Sequence, residues 1–463
     1  MKKTIYFFLF CVCFCTNTVN AQVNVQDSLA LVDLYDSTDG SHWFRHENWK
    51  SGPVATWVGI TVKNTRVTEI VLQDNNLMGS IPSSIGNLTN LEYLNLFLNK
   101  LSGKIPSSIA NLTNLQSLVL DANNLSGNIP SSIGNLINLK ILSLDGNKLS
   151  GKIPSSIGNL TNLQALDLPG NQLSGSFPSS IGNLINLQYI HLEHGNHLSG
   201  DIPSSIGNLT NLLTLDLENN QLSGSIPSTI GNLANLRSLI LLGNKLSGSI
   251  PSSLTHLNNL NNGDLLILRH NYFTFDGMEA IAQKFSKAAI DHQKNIRIHQ
   301  SGNTLSVSAG GTLSNNTYKW YKCEGTTATL VATITGDSVF HPSESGRYYV
   351  RVKNSVIGQR LKLFSSAFDY TASNNNVIAS SENSLQQYNK TNLFRIYPNP
   401  AKDILHVETN RSATFSLINQ SGKMLLTTNI TGKGSINISG ITPGLYYLKN
   451  NSTGSVQKVV IAR

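Results

Sequence analysis

Hydrophobic residues recur at a fixed spacing along the middle of the chain. From Ile81 onward, an Ile-Pro or Phe-Pro pair opens a phrase such as IPSSIGNLTNLEYLNLFLNKLSG. Successive copies begin 24 residues apart, with one spacing of 25, at Ile81, Ile105, Ile129, Ile153, Phe177, Ile202, Ile226 and Ile250. A repeat with a period between about 20 and 50 residues predicts a solenoid. Solenoids present a long surface to a partner, so the pattern favours binding.

Each copy follows the pattern LxxLxLxxNxLSGxIPxxIGNLTN. The Leu-x-Leu pair predicts a short strand whose alternate side chains point inward. The central asparagine should also point inward, and a buried amide must be hydrogen-bonded. We therefore predict stacked asparagines that satisfy backbone groups of the neighbouring coil, at Asn75, Asn99, Asn123, Asn147, Asn171, Asn196, Asn220, Asn244 and Asn271.

The two ends of the repeat block need covers, because a terminal coil has no neighbour on one side. Gln26 to Tyr35 predicts a short amphipathic helix. Trp43, Trp49 and Trp57 predict a hydrophobic lid, with a ligand-stacking platform as the alternative. After Phe273, the segment DGMEAIAQKFSKAAIDH has apolar residues at helical spacing and predicts a C-terminal capping helix from Asp276 to His292.

Beyond the repeats the pattern changes to short alternating stretches such as TYKWYKC and GRYYVRVKN, which predict a β-sandwich. A polar linker and a second β module follow. The predicted domains are a signal peptide (1–21), an N-terminal cap (22–66), the repeats (67–273), a capping helix (274–295), a first β domain (296–370), a linker (371–392) and a last module (393–463).

Residues 67–273 resemble the plant-type subclass of leucine-rich repeat proteins, through the LSGxIP segment of each copy. The segment from Trp57 to Thr61 resembles that subclass's N-terminal cap, although the usual cap cysteines are missing. The resemblance implies a right-handed α/β-type leucine-rich repeat solenoid with a parallel sheet on the concave face. Trp320 and the segment from Ser345 to Val350 resemble the immunoglobulin-like fold, so two small β-sandwich domains should follow the solenoid.

The last module resembles the C-terminal sorting domain of type IX secretion cargo. The matching residues are Tyr397, Pro398, Asn399, Pro400, Gly422, Lys423, Gly444, Leu445 and Tyr446. This resemblance implies a Gram-negative source, contact with the type IX secretion machinery, removal of the module, and release or attachment at the outer cell surface. A generic adhesive β domain is the alternative.

The N-terminus predicts export to the periplasm. Lys2 and Lys3 precede an apolar core from Ile5 to Phe14, and Val19-Asn20-Ala21 forms a small-residue cleavage site. No apolar segment of the mature chain reaches the roughly 20 residues that a membrane span needs. Cleavage would remove Cys11, Cys13 and Cys15 and leave Cys323 alone, as a buried or surface thiol rather than a nucleophile.

The charge is unevenly distributed along the chain. The net charge is +8, but residues 67–273 contain 8 Lys or Arg and 11 Asp or Glu, a net −3, so the remainder carries +11. The basic excess therefore lies outside the predicted binding surface. It gives little reason to propose nucleic acid as a partner, which requires a basic stripe on one face.

Positions that flank the inward leucines should face the concavity in rows, because neighbouring strands lie about 4.8 Å apart. The variable residues in these rows predict an acidic ridge with aromatic anchors, a residue type enriched at binding hot spots. The predicted partner-binding residues are Tyr93, Asn95, Phe97, Asp121, Asp145, Asp167, Tyr189, His191, Glu193, Asp216 and Glu218. A solvated polar face is the alternative.

Candidate chemistry is sparse. The acidic ridge lacks the spacing of a calcium loop, and the histidines of the irregular coil HLEHGNHLSG (His191, His194, His197) are better explained as surface residues than as metal ligands. We find no nucleophile elbow or phosphate loop. The sequence thus predicts no catalytic residue, metal or cofactor, and favours a secreted or cell-surface adhesion protein that binds an extracellular protein or glycan. The alternative is a surface scaffold, or contact with polysaccharide or ice through the regular Asn, Ser and Thr rows.

Overall fold

A computed structural model describes residues 23–262, 265–372, 394–397, 401–409, 412–419, 423–452 and 456–462. The chain divides into two compact units, Met1–Ser373 and Asn374–Arg463, which are described separately. The predicted signal peptide, and the predicted linker from residue 373 onward, lie outside the described residues.

A ten-stranded inner sheet runs along the solenoid, with the first strand supplied by the N-terminal cap and one further strand by each coil. The strands are parallel and in register, except that the first pairs antiparallel with the second. They are Ile60–Lys63, Arg66–Val71, Tyr93–Asn95, Ser117–Val119, Ile141–Ser143, Ala165–Asp167, Tyr189–His191, Thr214–Asp216, Ser238–Ile240 and Leu266–Ile267. The predicted leucine-rich repeat solenoid is confirmed.

A second, seven-stranded parallel sheet, here called the outer sheet, consists of the strands that come just after the inward asparagines from Asn75 to Asn220. Its strands are Met78–Ser80, Lys100–Gly103, Asn124–Asn128, Lys148–Gly151, Gln172–Ser176, His197–Asp201 and Gln221–Ser223. The glycine of the LSG segment has positive φ, as at Gly127 (77°), which is the left-handed backbone that glycine adopts without strain.

A 3₁₀ turn closes each coil directly after the proline, whose ring fixes φ at the N-cap position. These turns are Ser83–Asn87, Ser107–Asn111, Ser131–Asn135, Ser155–Asn159, Ser179–Asn183, Ser204–Asn208, Ser228–Asn232 and Ser252–His256. Further 3₁₀ turns are Gly40–His42, Val54–Thr56, Asn258–Asn262 and Leu313–Asn315.

The inward asparagines form a ladder that links successive coils. Asn123 is buried, and its Oδ1 accepts from the backbone N–H of Leu101 at 2.9 Å. Its Nδ2 donates to the carbonyls of Leu96 and Leu120, both at 3.0 Å. Each such amide therefore joins its own coil to the preceding one. The predicted role of these residues is confirmed, and the pattern repeats from Asn99 to Asn271.

The N-terminal cap contains helix α1, Val25–Ser37, over the first coil. Trp43, Trp49 and Trp57 are 2%, 6% and 5% exposed, so they form the predicted lid and are not available as a stacking platform. The Trp49 ring stacks on Tyr35 with a centroid distance of 5.7 Å.

The C-terminal helix prediction was wrong beyond Lys284. Helix α2 spans only Met278–Lys284, and the chain then returns to the inner sheet, where Ala289 bridges Ile267. Gln293 occupies the ladder position of this additional coil, and its Nε2 donates to the carbonyls of Leu268 and Ile290 at 2.8 and 2.9 Å. In this coil, Ala288 and Gln293 stand where the repeat pattern has Leu and Asn. The coil was therefore not recognised from the sequence.

The first β domain contains a three-stranded and a five-stranded antiparallel sheet. The strands of the smaller sheet are Ile298–Ser301, Thr304–Val307 and Val339–Phe340. Those of the larger sheet are Asn316–Glu324, Thr327–Thr335, Gly346–Asn354, Lys362–Phe364 and Phe368–Tyr370. Trp320 is fully buried in the core. Arg360 donates to the carbonyls of Ala282, Phe285 and Ala288, which joins this domain to the end of the solenoid.

The second unit has its own core, which includes Phe394, Phe415 and Leu448. Its two antiparallel sheets comprise Arg395–Tyr397, Ile404–Glu408 and Lys433–Asn437, and Ala413–Asn419, Met424–Ile430, Gly444–Asn450 and Val456–Ile461. Tyr446, one of the predicted sorting residues, donates its hydroxyl to the carbonyl of Thr442 at 2.7 Å. Pro398, Asn399, Pro400 and Gly422 lie outside the described residues.

Candidate binding face

The inner sheet aligns the predicted binding residues in rows across the concave face. Parallel pairing places Asp167 beside His191, and His191 beside Asp216. It also places Tyr93 beside Ser117, in the row that later contains Tyr189. The observed register of the strands is therefore the one predicted from the spacing of the leucines.

A hydrogen-bonded acid–base pair lies at the centre of this face. Nδ1 of His191 donates to Oδ1 of Asp167 at 2.6 Å, and both side chains are partly buried. Burial lowers the pKa of His191, but the hydrogen bond to Asp167 and the charges of Asp167, Glu193 and Asp216 together raise it above its usual value. The surrounding carboxylates thus favour the cationic form of the His191 imidazole.

Asp216 lies on the other side of His191, and Glu193 follows His191 by two residues in the same coil. Burial, followed by the charge of Glu193, raises the pKa of Asp216 to about 7. Burial also raises the pKa of Glu193, whose Oε2 is buried and accepts no hydrogen bond from the described residues. Desolvated carboxylates of this kind gain much from a partner that brings hydrogen-bond donors.

The irregular coil adds a second histidine. His194 adopts a left-handed backbone (φ 53°), and its Nε2 lies 3.5 Å from Oε1 of Glu218. His197 begins an outer-sheet strand and is exposed away from the concave face. Two of the three histidines of this coil, His191 and His194, therefore lie at the acidic ridge, and the third does not.

Asp121 is a partly buried acid at the other end of the ridge. Ser143 donates to its Oδ2 at 2.7 Å, and the backbone N–H of Asp145 donates to its Oδ1 at 2.9 Å. Burial outweighs these two hydrogen bonds and raises the pKa of Asp121 to about 7. Sequence reasoning missed Ser143 as its partner, although the two residues occupy adjacent rows of adjacent coils.

The aromatic end of the face is more exposed. Phe97 is 38% exposed, and Asn95 Nδ2 donates to Gln73 Oε1 at 2.9 Å. The Tyr189 ring lies 6.2 Å from that of His191. Apolar contact area thus flanks the acidic ridge at Phe97 and lies beside its centre at Tyr189.

In the described part of the chain, no cluster of three or more His, Cys, Asp or Glu side chains could hold a metal ion. Cys323 lies in the β domain and is a free, partly buried thiol. No helix among the described residues combines the length and apolarity that crossing a membrane requires.

Two families have sequence models that match the chain. Residues 65–174 match a leucine-rich repeat region, and residues 185–246 match a leucine rich repeat model. Residues 395–462 match a secretion system C-terminal sorting domain, which indicates export to the cell surface or the medium.

Similar solved structures come from plants. The ectodomain of the receptor kinase GASSHO1/SCHENGEN3 from Arabidopsis thaliana, in complex with CASPARIAN STRIP INTEGRITY FACTOR 2, is 34% identical, with 54% of this chain and 33% of that chain covered and a TM-score of 0.45. A plant ice-binding protein is 28% identical over 55% of this chain and 89% of that one, with a TM-score of 0.46.

The ectodomain of the receptor kinase SOBIR1 from Arabidopsis thaliana is 30% identical over 39% of this chain and 99% of that one, with a TM-score of 0.35. The present chain spans about a third of the GASSHO1 ectodomain.

Proposed function

The chain is a leucine-rich repeat protein with a secretion system C-terminal sorting domain, and we propose that it acts outside the cell as a recognition or adhesion protein. Its concave face would bind an extracellular protein or glycan. The acidic ridge of the inner sheet is the observation on which this proposal rests.

The ridge is unusual because its carboxylates are packed closely while partly withdrawn from water. Burial raises the pKa of both Asp121 and Asp216 to about 7, so ionising them costs free energy in the unbound protein. A positively charged partner would lower that cost, because an opposite charge within about 4–6 Å favours the ionised carboxylate. A partner with Lys, Arg or amino-sugar groups therefore fits this face best.

Aromatic residues supply the remaining contact area. Tyr93 and Phe97 belong to one coil, and Tyr189 lies beside the His191–Asp167 pair. Large rings with little conformational freedom dominate the energetics of many interfaces. We expect the partner to place apolar groups on these rings and cations on the ridge.

Binding can be tested with the full mature chain and a matched pair of variants. Asp167→Asn removes a charge from the ridge, whereas Asp201→Asn removes one from an exposed position on the outer sheet. Affinity capture of surface proteins, followed by a glycan array, should yield ligands that Asp167→Asn loses and Asp201→Asn retains. Equal retention by both variants would refute the concave-face assignment.

The proposed route begins with the signal peptide of residues 1–21, crosses the periplasm and ends with the type IX secretion machinery. We expect deletion of residues 394–463 to leave the protein in the periplasm, because this segment includes the matched sorting domain. Normal surface display of the deleted protein would contradict this part of the proposal.

A second candidate function is favoured by the 3₁₀ turns. Across seven coils, the segments 83–89, 107–113, 131–137, 155–161, 179–185, 204–210 and 228–234 contain no charged residue. They expose columns of serine and asparagine beside a column of Thr89, Thr113, Ile137, Thr161, Ile185, Thr210 and Ala234.

Bonds between coils hold this surface rigid, since Asn162 Nδ2 donates to the carbonyl of Ile137 at 2.9 Å and its counterparts do the same. Such an array suits contact with ordered polysaccharide or ice. Thr161→Lys should abolish adsorption to such a lattice, whereas Asp167→Asn should not.

A further inference from the structure

The five-stranded sheet of the first β domain has one buried face and one cationic face. Tyr318, Trp320 and Val350 point into the core. The alternate positions of the same strands point outward. The cationic sheet face comprises Lys319, Tyr321, Arg347, Tyr349, Arg351, Lys353, Lys362 and Phe364.

Strand register sets like charges directly opposite one another on this face. Lys319 pairs with Arg351 across two strands, and Lys353 pairs with Lys362 across the next two. Directly opposed like charges destabilise a sheet. Asp369 is an acidic neighbour, whose Oδ1 lies 3.7 Å from Nε of Arg347. Among the described residues, Lys319, Arg351, Lys353 and Lys362 form no ion pair.

Arg351 is held in place by aromatic rings. Its guanidinium carbon lies 4.9 Å from the ring centroid of Tyr321, 5.5 Å from that of Tyr349 and 5.8 Å from that of Phe364. One of its N–H groups donates to the Tyr349 hydroxyl at 3.2 Å. A guanidinium fixed in this way loses little freedom when it pairs with a carboxylate or sulfate.

The spacing of the cations fits a polymer better than a single ion. Neighbouring strands lie about 4.8 Å apart, and alternate residues along one strand lie roughly 6.6 Å apart. Arg351, Lys353 and Lys362 therefore form a lattice that a chain with an anion on successive units can bridge. Each anion bound there would also relieve repulsion between the paired cations.

The aromatic rings distinguish between classes of polyanion. Tyr321 and Tyr349 stack on each other with centroids 4.9 Å apart and an interplanar angle of 6°, and Arg351 lies over both rings. The stacking contact and Arg351 make these rings less open than the rings on which single-stranded nucleic acids stack their bases. Phe364, 40% exposed, remains to contact the C–H groups of a sugar.

We propose that the cationic sheet face binds an anionic polysaccharide outside the cell, with sulfate or carboxylate groups paired to Lys319, Arg351, Lys353 and Lys362. This site lies on the β domain rather than on the inner sheet. It does not depend on the proposed function of the concave face.

The test compares full mature chains on dextran sulfate and on uncharged dextran by biolayer interferometry. The variant Arg351→Gln/Lys353→Gln/Lys362→Gln removes three charges from the face. The matched control Lys100→Gln/Lys104→Gln/Lys148→Gln removes three exposed charges from the solenoid. We expect dextran sulfate alone to bind, with a loss of about tenfold or more for the face variant and no change for the control.

Three results would overturn the proposal: equal losses in both triple variants, equal binding of uncharged dextran, or binding of DNA as tight as that of dextran sulfate at equal charge. The melting temperature of the face variant should be unchanged or higher, because repulsion is removed. If that variant fails to fold, Arg351→Lys supplies the readout. It keeps the charge but not the planar fork, so it should weaken binding, and undiminished binding would count against the site.

Discussion

The Nδ1 atom of His191 lies 2.6 Å from Oδ1 of Asp167, across the boundary between two adjacent coils. The two residues are 24 positions apart in the sequence, one repeat, and the parallel register places them side by side. The same register places Asp216 on the opposite side of His191. A single imidazole thus lies between carboxylates supplied by two neighbouring coils.

The raised pKa values on the acidic ridge predict that the solenoid is more stable in mild acid than at alkaline pH. Burial raises the pKa of Asp121 and of Asp216 to about 7, and the pKa of His191 is also raised. Groups with raised pKa values bind more protons in the folded state than in the unfolded state. Their stabilising contribution is therefore full below their unfolded pKa values. It is lost as pH rises through about 7 for the two aspartates, and as pH rises through its own raised pKa for His191.

Urea unfolding at pH 5 and pH 8 measures this effect. We expect the Asp121→Asn/Asp216→Asn variant to reduce the difference in unfolding free energy between the two pH values by at least about 1 kcal/mol. Asp201→Asn, at an exposed position, should leave the difference intact. An unaltered pH dependence in the double variant would contradict the assignment.

The asparagine ladder predicts a local cost for removing one amide. Asn147 Oδ1 accepts from the backbone N–H of Leu125 at 2.9 Å, and its Nδ2 donates to the carbonyl of Leu120 at 3.0 Å. Asn147→Ala should lower the unfolding free energy by about 1–3 kcal/mol, since it leaves buried backbone groups without partners.

Hydrogen exchange gives the sharpest readout of this change. The Leu125 amide should exchange faster in Asn147→Ala, while the exposed control Asn135→Ala should resemble the wild type. Unchanged protection of Leu125 would show that the ladder does not hold that coil.

The additional C-terminal coil predicts that Gln293 has the role of a ladder asparagine. Gln293→Ala frees the carbonyls of Leu268 and Ile290 and should destabilise the protein by about 1–3 kcal/mol. Gln172→Ala, at an exposed outer-sheet position, is the matched control. Thermal melting of both variants checks this expectation, and equal melting temperatures would contradict it.

The repeat could be predicted from the sequence because every copy has the same buried positions at the same spacing. Leu94 and Asn99 recur as buried residues at fixed spacing, so the strand, the ladder and the rows of the concave face all followed. The region after Lys284 could not be read in this way. Ala288 and Ala289 suit a helix by propensity, and only pairing with Ile267 places them in the sheet.

The cationic sheet face was missed for a related reason. Composition placed the basic excess outside the repeats, but it could not show that Lys353 lies opposite Lys362. That relationship depends on the pairing register of two strands joined by an irregular segment. The pKa shifts of Asp121 and Asp216 likewise depend on burial, which the spacing of residues does not specify.

We propose the acidic ridge as a binding site for positively charged partners. Calorimetric titration of the full mature chain with a ten-residue oligolysine peptide, and with oligoglutamate as control, tests it most directly. We expect oligolysine to bind the wild type and the Asp201→Asn protein, and we expect Asp167→Asn/Asp216→Asn to lose this binding. Equal oligolysine binding by all three proteins would contradict it.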